Sequence, residues 1–395
     1  MTITGNAYVV AAVRTAGGRR GGSLSSWHPA DLAGFVLDAV LDRSGVPAEA
    51  IDDVILGCVS QVGPQTSNIA RTAIMSSRLP DSVPGVTVDR QCGSSLQATQ
   101  FAAQAVLSGT ADLVVAGGVE SMSMVPILSA ITVGMDAGMP SPYAGERIAK
   151  AYPDENFDQF NGAERVGAKY GVTREELIDF AIASHERAIA ARDAGRFLEE
   201  IVPVPVTRED GTVDSFAADE GIRQPDRQKI ESLPALRPGG LVNAATSSQV
   251  TDGASAVLVA SQAAVDRYGL RPLARIVAMD AVGSDPVMVL EGPIPATVRV
   301  LAKAGLQISD IDLYEVNEAF GTVPLAWAKA VGADLSRLNV NGGAQALGHP
   351  LGATGTKLLG TLIYELRRRG GRYGLIAICE GLGTANSMII EVVPS

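Results

Sequence analysis

Ile51-Asp52-Asp53-Val54-Ile55-Leu56 follows a helix-patterned run at 32–41 and a turn at Gly45-Val46-Pro47. About 260 residues later, Ile311-Asp312-Leu313-Tyr314-Glu315-Val316 follows a second helix-patterned run at 298–304 and a turn at Gly305-Leu306. The helix–turn–Ile-Asp–strand order is the same in both. A second echo lies further along each copy. Ala111-Asp112-Leu113-Val114-Val115-Ala116-Gly117-Gly118 matches Tyr373-Gly374-Leu375-Ile376-Ala377-Ile378-Cys379, each a short apolar run after a helix and a Gly turn. Such runs read as buried strands. Two copies of an alternating strand–helix unit predict two similar α/β halves with mostly buried mixed sheets.

The segment between the copies, 121–249, has a different character. Its start, 122–142, is rich in Met, Gly and Pro. Thr173-Arg174-Glu175-Glu176 has the form of a capping box, with Leu177, Phe180, Ala181 and Ser184 at helical spacing and Gly195 near the stop. The polar stretch 208–229 carries Arg223, Arg227 and Lys229 among turn residues. This segment reads as an insertion that packs over one face of the core and helps form a ligand slot. The division expected is therefore 1–120 plus 250–275 for the first half, 121–249 for the insertion, and 276–395 for the second half.

Composition narrows the function. At 395 residues the chain suits two or three domains. With 46% hydrophobic and 19% charged residues it has the makings of large cores, which rules out a disordered or collagen-like chain. The formal charge of −11, with no basic run, argues against nucleic acid but leaves room for a phosphate held by local Arg or Lys. Cys58, Cys92 and Cys379 have no zinc-ligand spacing, and no metal is expected. Free thiols suit a reducing compartment. The apolar run 7–13 stops at Arg14 and reads as a strand, not a signal peptide. The ending Glu391-Val392-Val393-Pro394-Ser395 is not a peroxisomal address. The stretch 91–111 carries no charge, but its four glutamines favour a helix buried in protein over a membrane span. A cytoplasmic protein without membrane partners is the expectation.

Four residues of chemical interest fall just after predicted strands. Cys92, in Arg90-Gln91-Cys92-Gly93-Ser94-Ser95, lies where a strand-like run at 85–88 meets a small-residue helix. A thiol at a helix N-terminus faces free N–H groups, which favours the thiolate; the same stretch also reads as a buried, inert cysteine. His349 sits in the Gly-rich loop Asn341-Gly342-Gly343-Ala344 to Gly348-His349-Pro350. Asn317, in Asn317-Glu318-Ala319-Phe320, and Cys379, before Glu380-Gly381-Leu382-Gly383, end the two strands of the second copy. If the sheets stack, these tips converge, and two thiols with an imidazole and an amide point to nucleophilic acyl chemistry. His28, His185 and Cys58 read as structural, with His185 on an exposed-looking helix face.

Taken together, Gln91-Cys92-Gly93-Ser94, Gly117-Gly118-Val119-Glu120-Ser121-Met122-Ser123, Asn317-Glu318-Ala319-Phe320, Asn341-Gly342-Gly343-Ala344 to His349-Pro350 and, in part, Cys379-Glu380-Gly381 resemble a thiolase along essentially the whole chain. The likeness is greatest to degradative bacterial acyl-CoA thiolases, including those acting on steroid-derived acyl-CoA. It implies a thiolase-like fold and CoA-dependent cleavage of a 3-ketoacyl-CoA, with CoA a substrate and no cofactor. It implies Cys92 as the acylated nucleophile, His349 as its base, and Cys379 as the acid/base for the acetyl-CoA enolate. Asn317 would hold a water in one oxyanion hole, and the N–H groups of Cys92 and Gly381 would form the other. Arg223 resembles a residue beside the CoA adenine, and Ser248 one near the pantetheine. A homodimer or homotetramer is implied. An acetoacetyl-CoA-forming thiolase, a decarboxylating condensing enzyme and a non-catalytic lipid-binding relative are the other readings. One departure stands out: the family commonly has a hydrophobic residue and three glycines after the second Cys, where this chain has Glu380-Gly381-Leu382-Gly383. Glu380 turned inward would raise the Cys379 pKa; turned outward it would matter little. Acyl preference is expected to depend on 122–151.

Overall fold

The computed structural model describes residues 5–208 and 210–394. The first half contains β1 (Ala7–Arg14), β2 (Gly18–Arg19), α1 (Pro29–Ser44), β3 (Asp53–Gly57), α2 (Ile69–Met75), β4 (Gly85–Val88), α3 (Ser94–Ser108) and β5 (Leu113–Ser121). The insertion carries α4 (Ser129–Asp136), α5 (Glu146–Ala151), α6 (Gln159–Lys169), α7 (Arg174–Asp193), β6 (Val204–Thr207), β7 (Val213–Phe216) and α8 (Arg227–Ser232). Then come β8 (Thr251–Ser261), α9 (Gln262–Tyr268), β9 (Ala274–Gly283), α10 (Pro293–Ala304), β10 (Leu313–Val316), α11 (Thr322–Val331), α12 (Ala344–Leu347), α13 (Thr354–Arg369), β11 (Tyr373–Glu380) and β12 (Thr384–Val392).

The repeat is structural. Helices α1 and α10 both open on a proline and stop at a left-handed glycine, Gly45 (φ 69°) and Gly305 (φ 67°). A 3₁₀ turn follows in each, then the Ile-Asp pair. Ile51 and Ile311 are buried. The aspartates have equivalent tasks. Asp52 Oδ2 accepts from the N–H groups of Asp112 and Leu113 at 2.7 and 2.9 Å, and Asp312 Oδ2 accepts from Arg372 and Tyr373 at 2.8 and 2.9 Å. Each aspartate thus pins the start of the neighbouring strand and sets its register. This is why the same dipeptide recurs.

Strands run in the order β10-β11-β12-β9-β1-β8-β5-β3-β4, with β2 on β8. Pairs β3–β4, β3–β5 and β10–β11 are parallel; those toward the centre are antiparallel. Among the described residues the two half-sheets pair through Tyr8↔Arg275 and Val9↔Ala274. Between them lie α3 and α13. Leu96 and Ala102 of α3 and Leu359 and Ile363 of α13 share one core with Val257 of β8 and Ile376, Ile378 and Met388 of the second half. A helix covered on two sides carries charge only where partners satisfy it, as for Lys357 on α13, which fits the uncharged 91–111.

The insertion is fastened to the core by buried charge. Arg14, at the end of β1, gives its Nε to Glu200 at 2.7 Å and a forked pair to Asp219 at 2.7 and 3.1 Å. The capping box of α7 is formed: Thr173 Oγ1 accepts from Glu176 N at 3.2 Å, and Glu176 Oε2 accepts from Thr173 N at 2.7 Å. The expected exposure of His185 is overturned. Helix α7 is packed against α8 and α12, so His185 is buried, and its Nδ1 accepts from the Arg223 N–H at 3.4 Å. His28 caps α1, its Nδ1 accepting from Ala30 N.

Candidate active site

Strand β4 ends on an Asp89-centred turn. Asp89 Oδ1 accepts from the Gln91 N–H at 2.7 Å, and Gln91 adopts φ 47°, a left-handed conformation that costs a non-glycine residue energy. That turn delivers Cys92 to the start of α3, with Gly93 as N-cap. The thiol is 3% exposed. Its helix-terminus placement led to an expectation of a favoured thiolate, and the surroundings reverse it. Burial pushes the Cys92 thiol well above its usual range, and the proximity of Cys379 and Glu380 pushes it further. Loss of hydration for a buried anion outweighs the field of one helix end.

His349 is held from several directions. Its N–H donates to Thr251 Oγ1 at 3.1 Å and to Gln249 O at 3.3 Å. Its Nδ1 lies 2.6 Å from Thr354 Oγ1, and Thr354 donates to Pro350 O at 2.8 Å. The hydroxyl has one proton, and Pro350 takes it, so Thr354 accepts from Nδ1–H. This leaves the Nε2 lone pair, 3.2 Å from Asn317 Nδ2. Burial and the Lys357 ammonium push the imidazole down to about 3. Lys357, itself buried, donates to Leu347 O and Gly348 O at 3.0 and 2.8 Å and so ties down the loop that carries His349. Glu318 holds the loop's other end, accepting from Ser184, Asn339 and the Gln345 N–H at 2.8, 2.9 and 3.0 Å.

Cys379 lies on β11, paired on both sides by β10 and β12. Asn317 extends β10 and donates its N–H to Ala377 O at 3.1 Å, which sets it beside the Cys379 segment. Burial, then the carboxyl of Glu380, pushes the Cys379 thiol up to about 12. Glu380 is fully buried and turned inward. Gly381 is buried, and a Cβ there would meet Gln91 Oε1 at 2.9 Å. Leu382, where the family commonly has glycine, adopts φ 65°.

Two contacts close the group. Asn386 Nδ2 on β12 donates to Gly93 O at 2.9 Å, and Ser95 Oγ accepts from the Thr356 N–H at 3.1 Å, tying the first turn of α3 to β12 and to α13. Cys92, Asn317, His349 and Cys379 are thereby drawn into one buried region at strand ends. Ser248 stands at its border, its N–H on Ala319 O at 2.9 Å. Arg223 is exposed on the insertion, and no contact links its side chain to the four. Cys58 is buried outside this group. Thr354, Lys357 and Gln91 escaped the sequence reading. A threonine and a lysine on a helix carry no local signal, and the left-handed Gln91 is visible only in the backbone.

A thiol, a neutral imidazole with an unprotonated Nε2 that accepts from an amide, and a second, protonated thiol are suited to covalent acyl transfer. Comparison with known proteins places the chain as a whole. The thiolase N-terminal domain model matches residues 7–263, and the thiolase C-terminal domain model matches 270–392. The chain belongs to the thiolase family. It is 52% identical over 386 residues to the steroid 3-ketoacyl-CoA thiolase FadA6 of Mycobacterium tuberculosis, covering 98% of this chain and 94% of that protein. To the 3-oxoadipyl-CoA/3-oxo-5,6-dehydrosuberyl-CoA thiolase of Escherichia coli it is 41% identical over 396 residues, covering 98% and 99%. The crystal structure of human mitochondrial 3-ketoacyl-CoA thiolase superposes with a TM-score of 0.89 at 35% identity, over 99% of this chain and all of that one. This thiolase is an acyltransferase enzyme with the thiolase fold, as its motifs implied.

Proposed function

We propose that this thiolase cleaves a 3-ketoacyl-CoA with CoA, yielding acetyl-CoA and a shortened acyl-CoA, through a thioester on Cys92. The observation that carries this is the burial of Cys92, His349, Asn317 and Cys379 together. Cys92 Sγ attacks the 3-keto carbon as His349 Nε2 takes its proton. With the thiol pushed up and the imidazole pushed down, the resting pair is neutral, and proton transfer accompanies attack. The N–H groups of Cys92 and Gly381 receive the alkoxide. The alkoxide collapses, the C2–C3 bond breaks, and its electron pair goes to the acetyl-CoA enolate. The enolate oxygen is stabilised by His349 Nε2–H and a water on Asn317, and the Cys379 thiol protonates the carbon. CoA thiol then attacks the thioester as the Cys379 thiolate takes its proton; the Cys92–acyl bond breaks to release the shortened acyl-CoA, and His349 Nε2–H returns its proton to the departing Cys92 sulfur.

Four intact polar side chains, all buried, with Asn317 and His349 in direct contact, support turnover over mere lipid binding. The likeness to a protein named a steroid 3-ketoacyl-CoA thiolase supports a ring-derived acyl chain over acetoacetyl-CoA synthesis. Exposed Met124, Ile127, Leu128, Val133 and Met135 give the 122–151 region the apolar surface to meet such a chain. We read 121–249 as the CoA-binding insertion, with Ser248 near the pantetheine and Arg223 near the adenine, and β9 as the start of the second half. CoA serves as substrate, and no cofactor enters the scheme. Among the described residues no helix is long and apolar enough to cross a membrane. A cytoplasmic homodimer or homotetramer is part of the proposal. The test is incubation with CoA and a panel of linear and ring-bearing 3-ketoacyl-CoA, with products followed by mass spectrometry. Acetyl-CoA release, fastest from a ring-bearing substrate, is expected; no acetyl-CoA from any substrate would refute the reading.

A further inference from the structure

Glu380 takes no part in the steps above, yet its surroundings are specific. It is fully buried, and neither carboxyl oxygen has a hydrogen-bond partner of normal geometry. Asn386 faces the same space. Its Nδ2 donates to Gly93 O, which fixes the amide orientation and leaves Asn386 Oδ1 buried without a donor. A Cβ on Gly93 would overlap Glu380 Oε1 and lie 2.7 Å from Asn386 Oδ1. Position 93 therefore has to be glycine, because the two side chains fill the volume over the first turn of α3. The Thr384 hydroxyl and the Asn386 N–H lie near the carboxyl without reaching normal hydrogen-bond geometry, and three enclosed oxygen acceptors without a well-placed donor are unstable. One proton resolves the conflict: a neutral carboxyl O–H can donate to Asn386 Oδ1.

We propose that Glu380 is a positioning residue for the nucleophile: as the neutral acid it bridges to Asn386 across Gly93 and holds the turn that carries Cys92, and as the carboxylate it opposes the Cys92 thiolate. This rests on Cys92 being the nucleophile. The groups around Glu380 are Asp89 and Arg90 from the turn before α3, Cys92 itself, Cys379 on β11, and uncharged Thr384 and Asn386 on β12. Arg90 is the sole cation among them, and Asp89 opposes it. Burial pushes the Glu380 carboxyl up to about 8, so the neutral acid prevails at and below neutral pH.

The test compares wild type, Glu380→Gln and Glu380→Leu. Gln keeps a donor toward Asn386 and never ionises; Leu leaves Asn386 Oδ1 unpartnered. Two rates are read on the Cys92 peptide by mass spectrometry: single-turnover acylation at neutral pH, and iodoacetamide alkylation against pH. Acylation of Glu380→Gln should exceed that of Glu380→Leu by at least about fivefold, the effect of one unsatisfied buried acceptor. The alkylation midpoint of Glu380→Gln should fall at least about half a pH unit below wild type, since no carboxylate forms beside the thiol. Equal acylation of the two variants, or superimposable alkylation profiles for wild type and Glu380→Gln, would overturn the proposal. Should Glu380→Leu not fold, the alkylation comparison decides alone. An absence of any Cys92 adduct on wild type would instead overturn the thioester mechanism.

Discussion

Thr354→Val is the substitution that most directly probes how His349 is made into a base. Valine keeps the shape of threonine and removes the hydroxyl that sits 2.6 Å from His349 Nδ1 and donates to Pro350 O. Without it, the buried Nδ1–H has no acceptor, and only the Asn317 Nδ2 contact is left to favour the tautomer with an unprotonated Nε2. A buried polar group left unsatisfied costs about 1–3 kcal/mol. The cost rises as the ring becomes cationic during attack, because the Nδ1–H is then a stronger donor. Each 1.36 kcal/mol is tenfold in rate, so the acylation step should slow by about 5- to 150-fold. Thr354→Ser, which keeps the oxygen, should stay much closer to wild type. The assay is single-turnover acylation of Cys92 by acyl-CoA, read by mass spectrometry, with denaturant unfolding as a check on the fold. Thr354→Val acylating within about twofold of wild type at equal stability would show that Thr354 does not set the base.

Cys92→Ala should fold normally and give no acyl adduct with acyl-CoA; an adduct appearing at undiminished yield would remove Cys92 from its role. Cys379→Ser replaces a thiol at about 12 with a far weaker acid; cleavage of 3-ketoacyl-CoA should fall by at least about 100-fold while acylation of Cys92 by acyl-CoA persists, and the acylated enzyme should accumulate. Asp219→Asn breaks the forked pair with buried Arg14 and should destabilise the protein by about 3–5 kcal/mol at pH 7. The Arg14 guanidinium and the Gly17 N–H hold the Asp219 carboxyl below its usual range despite burial. Its contribution is therefore complete above the unfolded value near pH 4 and is lost as pH falls through the lower folded value. The gap between wild type and Asp219→Asn in denaturant unfolding should narrow on acidification; a gap that widens would contradict the assignment.

The sites that the sequence revealed share one property: a local pattern forces them. The repeated Ile-Asp marks two equivalent strand starts because each aspartate must satisfy two N–H groups of the next strand, a requirement met within each copy. Cys92, Asn317, His349 and Cys379 stand out because strand ends and glycine loops are where a backbone can bring reactive groups to a ligand. Residues that act at long range left no such mark. Lys357 reads as an ordinary helix lysine until α13 is seen between the two half-sheets. His185 looked exposed because a helix wheel cannot show that both sides of α7 are covered.

From its sequence alone this protein had a legible architecture and a legible set of candidate reactive groups, since buried strands, capped helices and nucleophile types are written in short stretches of residues. The protonation state of those groups was decided only in three dimensions. A helix N-terminus favours a thiolate when Cys92 is read alone, and burial beside Cys379 and Glu380 reverses that. The inward turn of Glu380 was equally undetermined, because adjacent strand residues alternate between faces and only packing tells which face is closed. Charge is governed by what surrounds a group in space, and those neighbours come from the end of β4 and from the β11–β12 hairpin, which lie hundreds of residues apart and meet only in the folded chain.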